Sequence, residues 1–381
     1  MKYPHKVLVF ALASFMASGC LLMIELSELN SEYFDAGTDS DSDGDSDCLN
    51  EEDSVSFTFD KDIDNISVND GYVYLLGGKD YDGCGDLLAI LDATSDSSIS
   101  LASGVNDVFY DGYHMAFSGG YMYVVSQESY SHDEPTLFVF NASNPNNDPS
   151  MVAWQELYFH STRILVEDGN AYIGIIDSEE NCGIVVYDVS NPSSPIYRGE
   201  TKVGEGEVTD MSLKGDFLYC AIHNNDFVES GSVAILDVSN PNAPLSTMNA
   251  ASHDVPAQAV FATGERLYVG GGHSSISNDD PTFFAVYSIS DSPNLEKLGE
   301  LEMEDVPFSI AADEGVAYLA TGWSLEAYNV TDPGDISFIS KAYNDAKQVV
   351  FDPEDSSVLY TASGWANDVY RFSRCSQPDS N

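Results

Sequence analysis

The amino-acid sequence predicts an all-β fold in which seven four-stranded sheets form a closed ring, the arrangement of a seven-bladed β-propeller. Three observations lead to this prediction. The segment after residue 53 contains seven similar units whose first residues lie 39 to 51 residues apart, the length of a four-stranded blade. Apolar residues within each unit alternate with a period of two, as in strands. Gly, Asp and Asn stand where hairpins must turn.

The first strand of each unit begins with a polar residue and continues with alternating apolar positions. In a propeller the innermost strand of each blade starts at the rim of the central channel. We therefore expect these first residues to form a ring at the channel mouth. They are Asn65, His114, Arg163, Asp210, Gln258, Ser309 and Gln348.

The second strand carries a tyrosine in every unit, and an aromatic side chain in such a constant position is expected to fill the space between blades. These residues are Tyr74, Tyr123, Tyr172, Tyr219, Tyr268, Tyr318 and Tyr360. The third strand is the most apolar, as in 233–236, and ends at a turn-forming residue. A fourth, outer strand completes each blade.

A short sequence recurs after the third strand. Asp188-Val189-Ser190-Asn191-Pro192 in the third unit returns as Asp237-Val238-Ser239-Asn240-Pro241 in the fourth, where Asn and Pro favour a turn and end strand pairing. Together with the apolar run 233–236, this pattern resembles the LVIVD repeat, a propeller-forming repeat of exported bacterial proteins. The resemblance covers nearly all of residues 54–374. It implies a propeller and an exported setting, and it implies no reaction.

The two ends of the repeat region complement each other. The seventh unit stops after its third strand, and an unassigned alternating segment, 55–59, precedes the first unit. We expect this segment to pair with the last blade and to leave no open sheet edge at the seam. Such pairing brings Cys48 next to Cys375, and a disulfide between them is expected in an oxidising compartment. The sequence leaves open whether the other cysteines of this region are free: Cys84, Cys182 and Cys220.

The N-terminus has the features of a secretory signal. Lys2 and Lys6 precede an apolar run, 7–16, and three small residues then lead to Cys20. This order resembles the lipobox of bacterial lipoproteins. It implies that Cys20 is acylated and anchors the protein in the cell envelope, in the outer membrane or at the cell surface. The alternatives are ordinary cleavage and retention of residues 7–24 as a membrane anchor, and all three export the body of the chain.

Four regions follow from this organisation. They are a signal peptide (1–19), an acidic tether (20–52), the propeller (53–375) and a C-terminal tail (376–381). Residues 35–47 of the tether contain no apolar residue except Ala36, too few to form a core. Within it, Asp39, Asp41, Asp43 and Gly44 fit the first half of a calcium-binding loop, but Asn50 stands where such a loop needs Glu. A solvated linker is therefore favoured over a calcium site.

The net charge limits the partners. The chain has 63 acidic and 14 basic residues, which gives a formal charge of −49 at pH 7. Such a surface repels phosphate backbones and anionic lipid headgroups. We therefore expect that the protein is a monomer and binds no nucleic acid. We also expect that it is attached to the membrane through the N-terminal lipid alone.

The candidate site is the polar ring at the channel mouth. The sequence has no nucleophile elbow, no phosphate-binding Gly loop and no His-x-x-x-His or Cys-x-x-Cys pair. We therefore expect neither an enzyme, nor a cofactor, nor a bound metal. Convergent polar groups in a concave site are typical of ligand binding, here of an unidentified protein or a small polar ligand. Simple solvation of a polar rim is the alternative.

Two other functions remain as rivals. A hydrolase would hold a divalent metal through Asn65, Asp210 and loop carboxylates, with His114 as general base. Arg163 in the same ring opposes this function because it would repel the metal. A structural role between envelope proteins would instead require an exposed apolar patch on a blade rim.

Overall fold

The structure is a computed structural model, and its described residues contain 28 β-strands and no helix. No segment among them is a helix long and apolar enough to cross a membrane. The described residues are 48–49, 55–58, 63–77, 87–95, 97–106, 112–126, 135–177, 181–223, 231–240, 247–253, 256–272, 281–290, 294–313, 315–355, 357–363 and 368–375.

The strands follow one another along the chain in groups of four. The first is β1 (Val55–Thr58). Blade 1 contains β2 (Ile63–Asn69), β3 (Tyr72–Gly77), β4 (Leu87–Ser95) and β5 (Ser98–Asn106). Blade 2 contains β6 (Gly112–Ser118), β7 (Tyr121–Ser126), β8 (Thr136–Asn141) and β9 (Ser150–Glu156). Blade 3 contains β10 (His160–Glu167), β11 (Asn170–Ile176), β12 (Asn181–Asp188) and β13 (Ile196–Glu205).

Blade 4 contains β14 (Glu207–Lys214), β15 (Phe217–His223), β16 (Gly231–Asp237) and β17 (Thr247–His253). Blade 5 contains β18 (Ala257–Thr263), β19 (Arg266–Gly272), β20 (Thr282–Ser288) and β21 (Glu296–Glu302). Blade 6 contains β22 (Ser309–Ala312), β23 (Val316–Ala320), β24 (Leu325–Asn329) and β25 (Ser337–Ala342). Blade 7 contains β26 (Ala346–Phe351), β27 (Val358–Ser363) and β28 (Asp368–Ser373). Each blade is an antiparallel four-stranded sheet, so the predicted seven-bladed all-β propeller is confirmed.

The fourth strand of blade 7 is β1, which pairs antiparallel with β28 so that Val55 lies opposite Arg371. A disulfide joins Cys48, ahead of β1, to Cys375, beyond β28, with their Cα atoms 5.0 Å apart. Leu49, next to the bridge, is buried between blades 6 and 7, and its N–H donates to Ser340 Oγ at 3.3 Å. The N-terminal segment thus contacts both blades.

Seven hydrophobic clusters of the described residues fill the seams between neighbouring blades, one cluster for each seam. The seven recurrent tyrosines belong to these clusters, and each is at most 3% exposed, which confirms their predicted place in the core. Each such side chain removes roughly 150–250 Å² from water. The tyrosine hydroxyl can form a hydrogen bond across the seam: the Tyr268 hydroxyl of blade 5 donates to the Asp313 carbonyl of blade 6 at 2.6 Å.

The turns have the conformations that their residues favour. Asp168 and Gly169, between the first two strands of blade 3, have φ angles of 48° and 73°, the left-handed values that a two-residue hairpin requires. After the third strand, Asp188 Oδ1 accepts hydrogen bonds from Ser190 N (2.9 Å) and Ser190 Oγ (2.6 Å), which lowers the pKa of Asp188 to about 2. The recurrent Asp-x-Ser sequence therefore ends the third strand with a side-chain turn.

Candidate functional site

The first strand of each blade lies at the inner edge of its sheet, so part of its backbone N–H groups receive no partner from the second strand. In six blades this strand also contains a register shift, and an extra residue stands between the two paired positions. The residue after the extra one is the ring residue predicted from the sequence in five of them: Asn65, His114, Arg163, Asp210 and Gln348.

Blade 5 corrects the prediction by one position. Ala257 pairs with Gly271 and Ala259 with Gly270, so Gln258 is the extra residue of the bulge and Ala259 takes the ring position. The Gln258 side chain instead lies 3.4 Å from His223 Nδ1. Polarity does not identify the ring position in this blade, because the polar residue Gln258 lies one position before it. Spacing does identify it: the ring residue stands nine positions before the recurrent tyrosine in blades 1–4 and 6, and Ala259 stands nine before Tyr268.

Four ring side chains accept a hydrogen bond from the backbone of the next blade. In each case the donor is the N–H of the residue that follows the next ring position. The pairs are Gln348 Oε1 with Ile66 N (2.8 Å), His114 Nδ1 with Ile164 N (3.4 Å), Asp210 Oδ2 with Val260 N (2.9 Å) and Ser309 Oγ with Val349 N (3.2 Å). We call these contacts blade latches. They give N–H groups at the inner sheet edge a partner that the sheet itself does not provide.

His114 is engaged at both ring nitrogens. Burial and the positive charge of Arg163 hold the pKa of His114 well below its usual value, so the ring is neutral. Since Nδ1 accepts from Ile164, the ring proton sits on Nε2, which lies 3.0 Å from the atom placed as Asn65 Nδ2, while Asn65 Oδ1 is buried without a partner. A protonated Nε2 donates, and we therefore assign the amide oxygen of Asn65 to this contact. Asn65, which is 5% exposed, thus orients His114.

Asp210 is a latch with a shifted pKa. Its Oδ1 accepts from Met211 N and its Oδ2 from Val260 N, both at 2.9 Å. Burial raises the pKa of Asp210 to about 6, although these two N–H groups and the positive charge of Arg163 act in the opposite direction. The carboxyl group therefore titrates close to neutral pH.

Arg163 differs from the other polar ring residues. Its Nη1 donates to the Thr162 carbonyl of its own strand at 2.9 Å, and its guanidinium carbon lies 5.7 Å from the centre of the Tyr113 ring. The Tyr113 hydroxyl lies 3.4 Å from Glu207 Oε1. Within the described ranges, no carboxylate forms an ion pair with Arg163. Its charge is therefore not neutralised by direct contact there.

A cavity of about 250 Å³ adjoins Arg163. It lies between the first strands of blades 1 to 4, with polar groups from His114, Arg163 and Asp210 and apolar surface from Phe117 and Met211. The structure thus places three of the predicted ring residues around one concave space. Ser309 and Gln348 lie in the blades on the far side of the ring, where both act as latches.

The other candidate features have different outcomes. Among the residues with described positions, no group of three or more His, Cys, Asp or Glu side chains could hold a metal ion. Cys182 and Cys220 are buried free thiols in the seam between blades 3 and 4. Cys20, Cys84 and the Asp-rich residues 35–47 of the tether lie outside the described residues. Exposed apolar side chains on outer strands are spread over four blades: Met151, Trp154, Ile196, Tyr197, Leu298 and Phe338.

Comparison with known proteins identifies the repeat and the fold. A family model described as the LVIVD repeat matches residues 160–202 and 205–249, which correspond to blades 3 and 4. No curated protein matches the chain. Both matched segments contain the Asp-x-Ser turn after the third strand, which accounts for the recurrent sequence in physical terms.

Solved structures with similar folds come from proteins of low sequence identity. The Pan2 WD40 domain of Neurospora crassa superposes with a TM-score of 0.62 at 8% identity, over 87% of this chain and 99% of that one. A chain of a mitotic checkpoint complex gives 0.62 at 12%, over 84% and 94%. BamB from Moraxella catarrhalis gives 0.52 at 13%, over 82% and 85%. The chain is thus similar to these proteins in fold, and it is a seven-bladed β-propeller that contains LVIVD repeats.

Proposed function

We propose that this protein is an exported lipoprotein whose propeller is a binding scaffold, and that a partner protein or a small polar ligand binds at the channel mouth. A β-propeller with LVIVD repeats suits an interaction scaffold, because a ring of packed blades offers a rigid concave surface at the channel mouth. The lipid on Cys20 would hold the propeller at the membrane, and the acidic tether would separate the two.

The observation that carries this proposal is the state of Arg163. Four of the other ring side chains are occupied by blade latches, and Asn65 is occupied by His114. Arg163 lines the cavity and, in the part of the chain described, meets no carboxylate in an ion pair. Leaving a half-buried guanidinium unpaired is unfavourable in the free protein and favours a ligand that supplies the missing acceptors.

The hydrolase function has less support. A general base needs a free nitrogen to take up a proton, whereas both nitrogens of His114 already have partners, Ile164 N–H and the Asn65 amide. The positive charge of Arg163 beside Asp210 also disfavours a divalent metal there. The binding function requires neither a base nor a metal.

Capture of partners from an envelope extract tests the binding function. The bait is the purified full chain, compared with Arg163→Ala and with Arg198→Ala as the matched control. Arg198 lies on the outer strand β13 and pairs with Asp188. We expect a partner that the wild type and Arg198→Ala retain and that Arg163→Ala loses. Equal capture by all three baits would contradict a site at the channel mouth.

The anchor is tested separately. Replacing Cys20 by Ala should release the protein from the membrane fraction, because acyl chains supply the attachment. The measurement is the distribution of the protein between membrane and soluble fractions, with Cys220→Ala as a control that changes a buried thiol inside blade 4. Unchanged membrane partition of Cys20→Ala would rule out the lipid anchor.

A further inference from the structure

Arg163 differs from the other arginine side chains of this very acidic protein in what it contacts. Among the described residues, Arg198 pairs with Asp188 and Arg374 pairs with Asp313. Arg266 and Arg371 donate to backbone carbonyls of a neighbouring blade, those of Val330 and Thr331 and that of Ser95, whereas Arg163 donates to a carbonyl of its own strand. With 63 acidic residues against 14 basic ones, a carboxylate partner for any one arginine is easily provided within the chain. The Arg163 side chain instead lines a cavity of about 250 Å³.

The guanidinium is held in position before any ligand arrives. Its Nη1 donates to Thr162 O at 2.9 Å, and the Tyr113 ring lies 5.7 Å from its central carbon. A guanidinium is planar and presents parallel N–H groups at the spacing of the two oxygens of a carboxylate. With one side occupied by its own strand, the group remains able to bind one planar acceptor.

Charge limits the acceptor to a single negative charge. Arg163 is the one Lys or Arg side chain among the described residues around the cavity. His114 is neutral, and the carboxyl groups of Glu207 and Asp210 lie in the same region. A phosphate group, with close to two negative charges near neutral pH, would remain partly uncompensated beside these acids. A carboxylate would be neutralised by one guanidinium.

Size limits what is attached to the carboxylate. A cavity of about 250 Å³ lies just below the usual range for drug-sized ligands, about 300–1,000 Å³. It has room for a carboxylate with a short chain, and Phe117 and Met211 provide apolar contact for such a chain. Both a small organic acid and the C-terminus of a polypeptide meet these conditions.

We propose that Arg163 is the anchor for a single carboxylate, which belongs to a small organic acid or to a polypeptide C-terminus. This carboxylate enters the cavity bordered by the first strands of blades 1 to 4. This inference rests on the proposed binding function and gives the chemical class of its ligand. Tyr113 and Thr162 are positioning residues that hold the guanidinium, and Asp210 and His114 maintain the surrounding first strands through their latches.

Binding of defined probes to the full chain tests the inference. The probes are an acetylated dialanine peptide with a free C-terminal carboxylate, the same peptide with a C-terminal amide, acetate and inorganic phosphate. Ligand-observed NMR and calorimetry measure affinity for the wild type, Arg163→Ala and Arg198→Ala. We expect the free-acid peptide to bind about tenfold or more tightly than the amide, since only the acid forms charge-assisted bonds. Arg163→Ala should lose this preference, and Arg198→Ala should keep it.

Comparison of acetate with the free-acid peptide distinguishes a small organic acid from a polypeptide C-terminus as the source of the carboxylate. Acetate that displaces the free-acid peptide at a similar concentration supports a small organic acid, and a marked advantage of the peptide supports a polypeptide C-terminus. Equal binding of acid and amide, tighter binding of phosphate than of acetate, or an undiminished preference in Arg163→Ala would each overturn the inference. So would the failure of every carboxylate probe to bind the wild type. If Arg163→Ala nevertheless lost the partner captured from the extract, the scaffold function would stand while its carboxylate ligand would be wrong.

Discussion

Blades 7 and 3 use the same ring position in different ways. Gln348 directs both ends of its amide to blade 1, accepting from Ile66 N and donating to the Asp64 carbonyl, each at 2.8 Å. Arg163 makes its direct hydrogen bond to its own strand and lines the cavity. A polar residue at the channel therefore does not by itself indicate ligand binding. What its side chain already contacts distinguishes a latch from a site.

The largest expected effect concerns the covalent link in blade 7. The Cys48–Cys375 disulfide spans 327 residues. Replacing both cysteines by Ser should lower the free energy of unfolding, by up to about 5–6 kcal/mol in the chain-entropy estimate, because the unfolded chain regains its freedom. Denaturant unfolding of the oxidised proteins measures the change. The wild type with reductant provides the matched control, and an unchanged unfolding midpoint in both would contradict a stabilising bridge.

The latch itself is tested at Gln348. Replacing it by Ala removes two hydrogen bonds and leaves Ile66 N–H and Asp64 C=O without these partners. We expect a loss of about 2–3 kcal/mol in the free energy of unfolding. Lys347→Ala, an exposed neighbour in the same strand, should change it by less than about 0.5 kcal/mol. Denaturant titration of the two variants compares them, and equal values would mean that Gln348 is not a latch.

The pH dependence of Asp210 sharpens the comparison between latch and site. Its pKa of about 6 in the folded state lies above the ordinary value, so the folded protein binds more protons than the unfolded one between about pH 4 and pH 6. This group therefore lowers the stability as the pH rises through that window. The positive charge of Arg163 partly offsets the effect of burial on the pKa of Asp210. Burial raises the pKa of the neighbouring thiol Cys220, and the charges of Cys182 and Asp210 act in the same direction.

Asp210→Asn removes this titration. Between pH 4 and pH 7 we expect the wild type to lose on the order of 1–3 kcal/mol relative to the variant, as linkage requires for a raised carboxyl pKa. Denaturant unfolding of both proteins at several pH values gives the difference. A gap between the two proteins that stays constant with pH would show that the pKa of Asp210 is not raised.

The fold could be predicted because its signals are local and repeated. Alternating apolar residues, the turn residues Asp168 and Gly169 and the tyrosine in every second strand each report on one blade alone. The latches could not be predicted, since they join residues about 40 to 50 positions apart, or 282 in the case of Gln348 and Ile66, and depend on how neighbouring blades are rotated. The error at Gln258 has a different, local origin. A bulge shifts the register by one residue, which polarity alone does not reveal but the spacing to Tyr268 does.

One measurement tests most directly whether Arg163 serves binding while the latch residues of the ring serve stability. It is the free energy of unfolding of Arg163→Ala, compared with that of Gln348→Ala in the same denaturant titration. Arg163 is expected to contribute little to folding, because its side chain makes no hydrogen bond to the backbone of the next blade among the described residues. The account predicts a loss below about 1 kcal/mol for Arg163→Ala against about 2–3 kcal/mol for Gln348→Ala. Equal losses in the two variants would contradict it, because Arg163 would then be a structural residue like the rest of the ring.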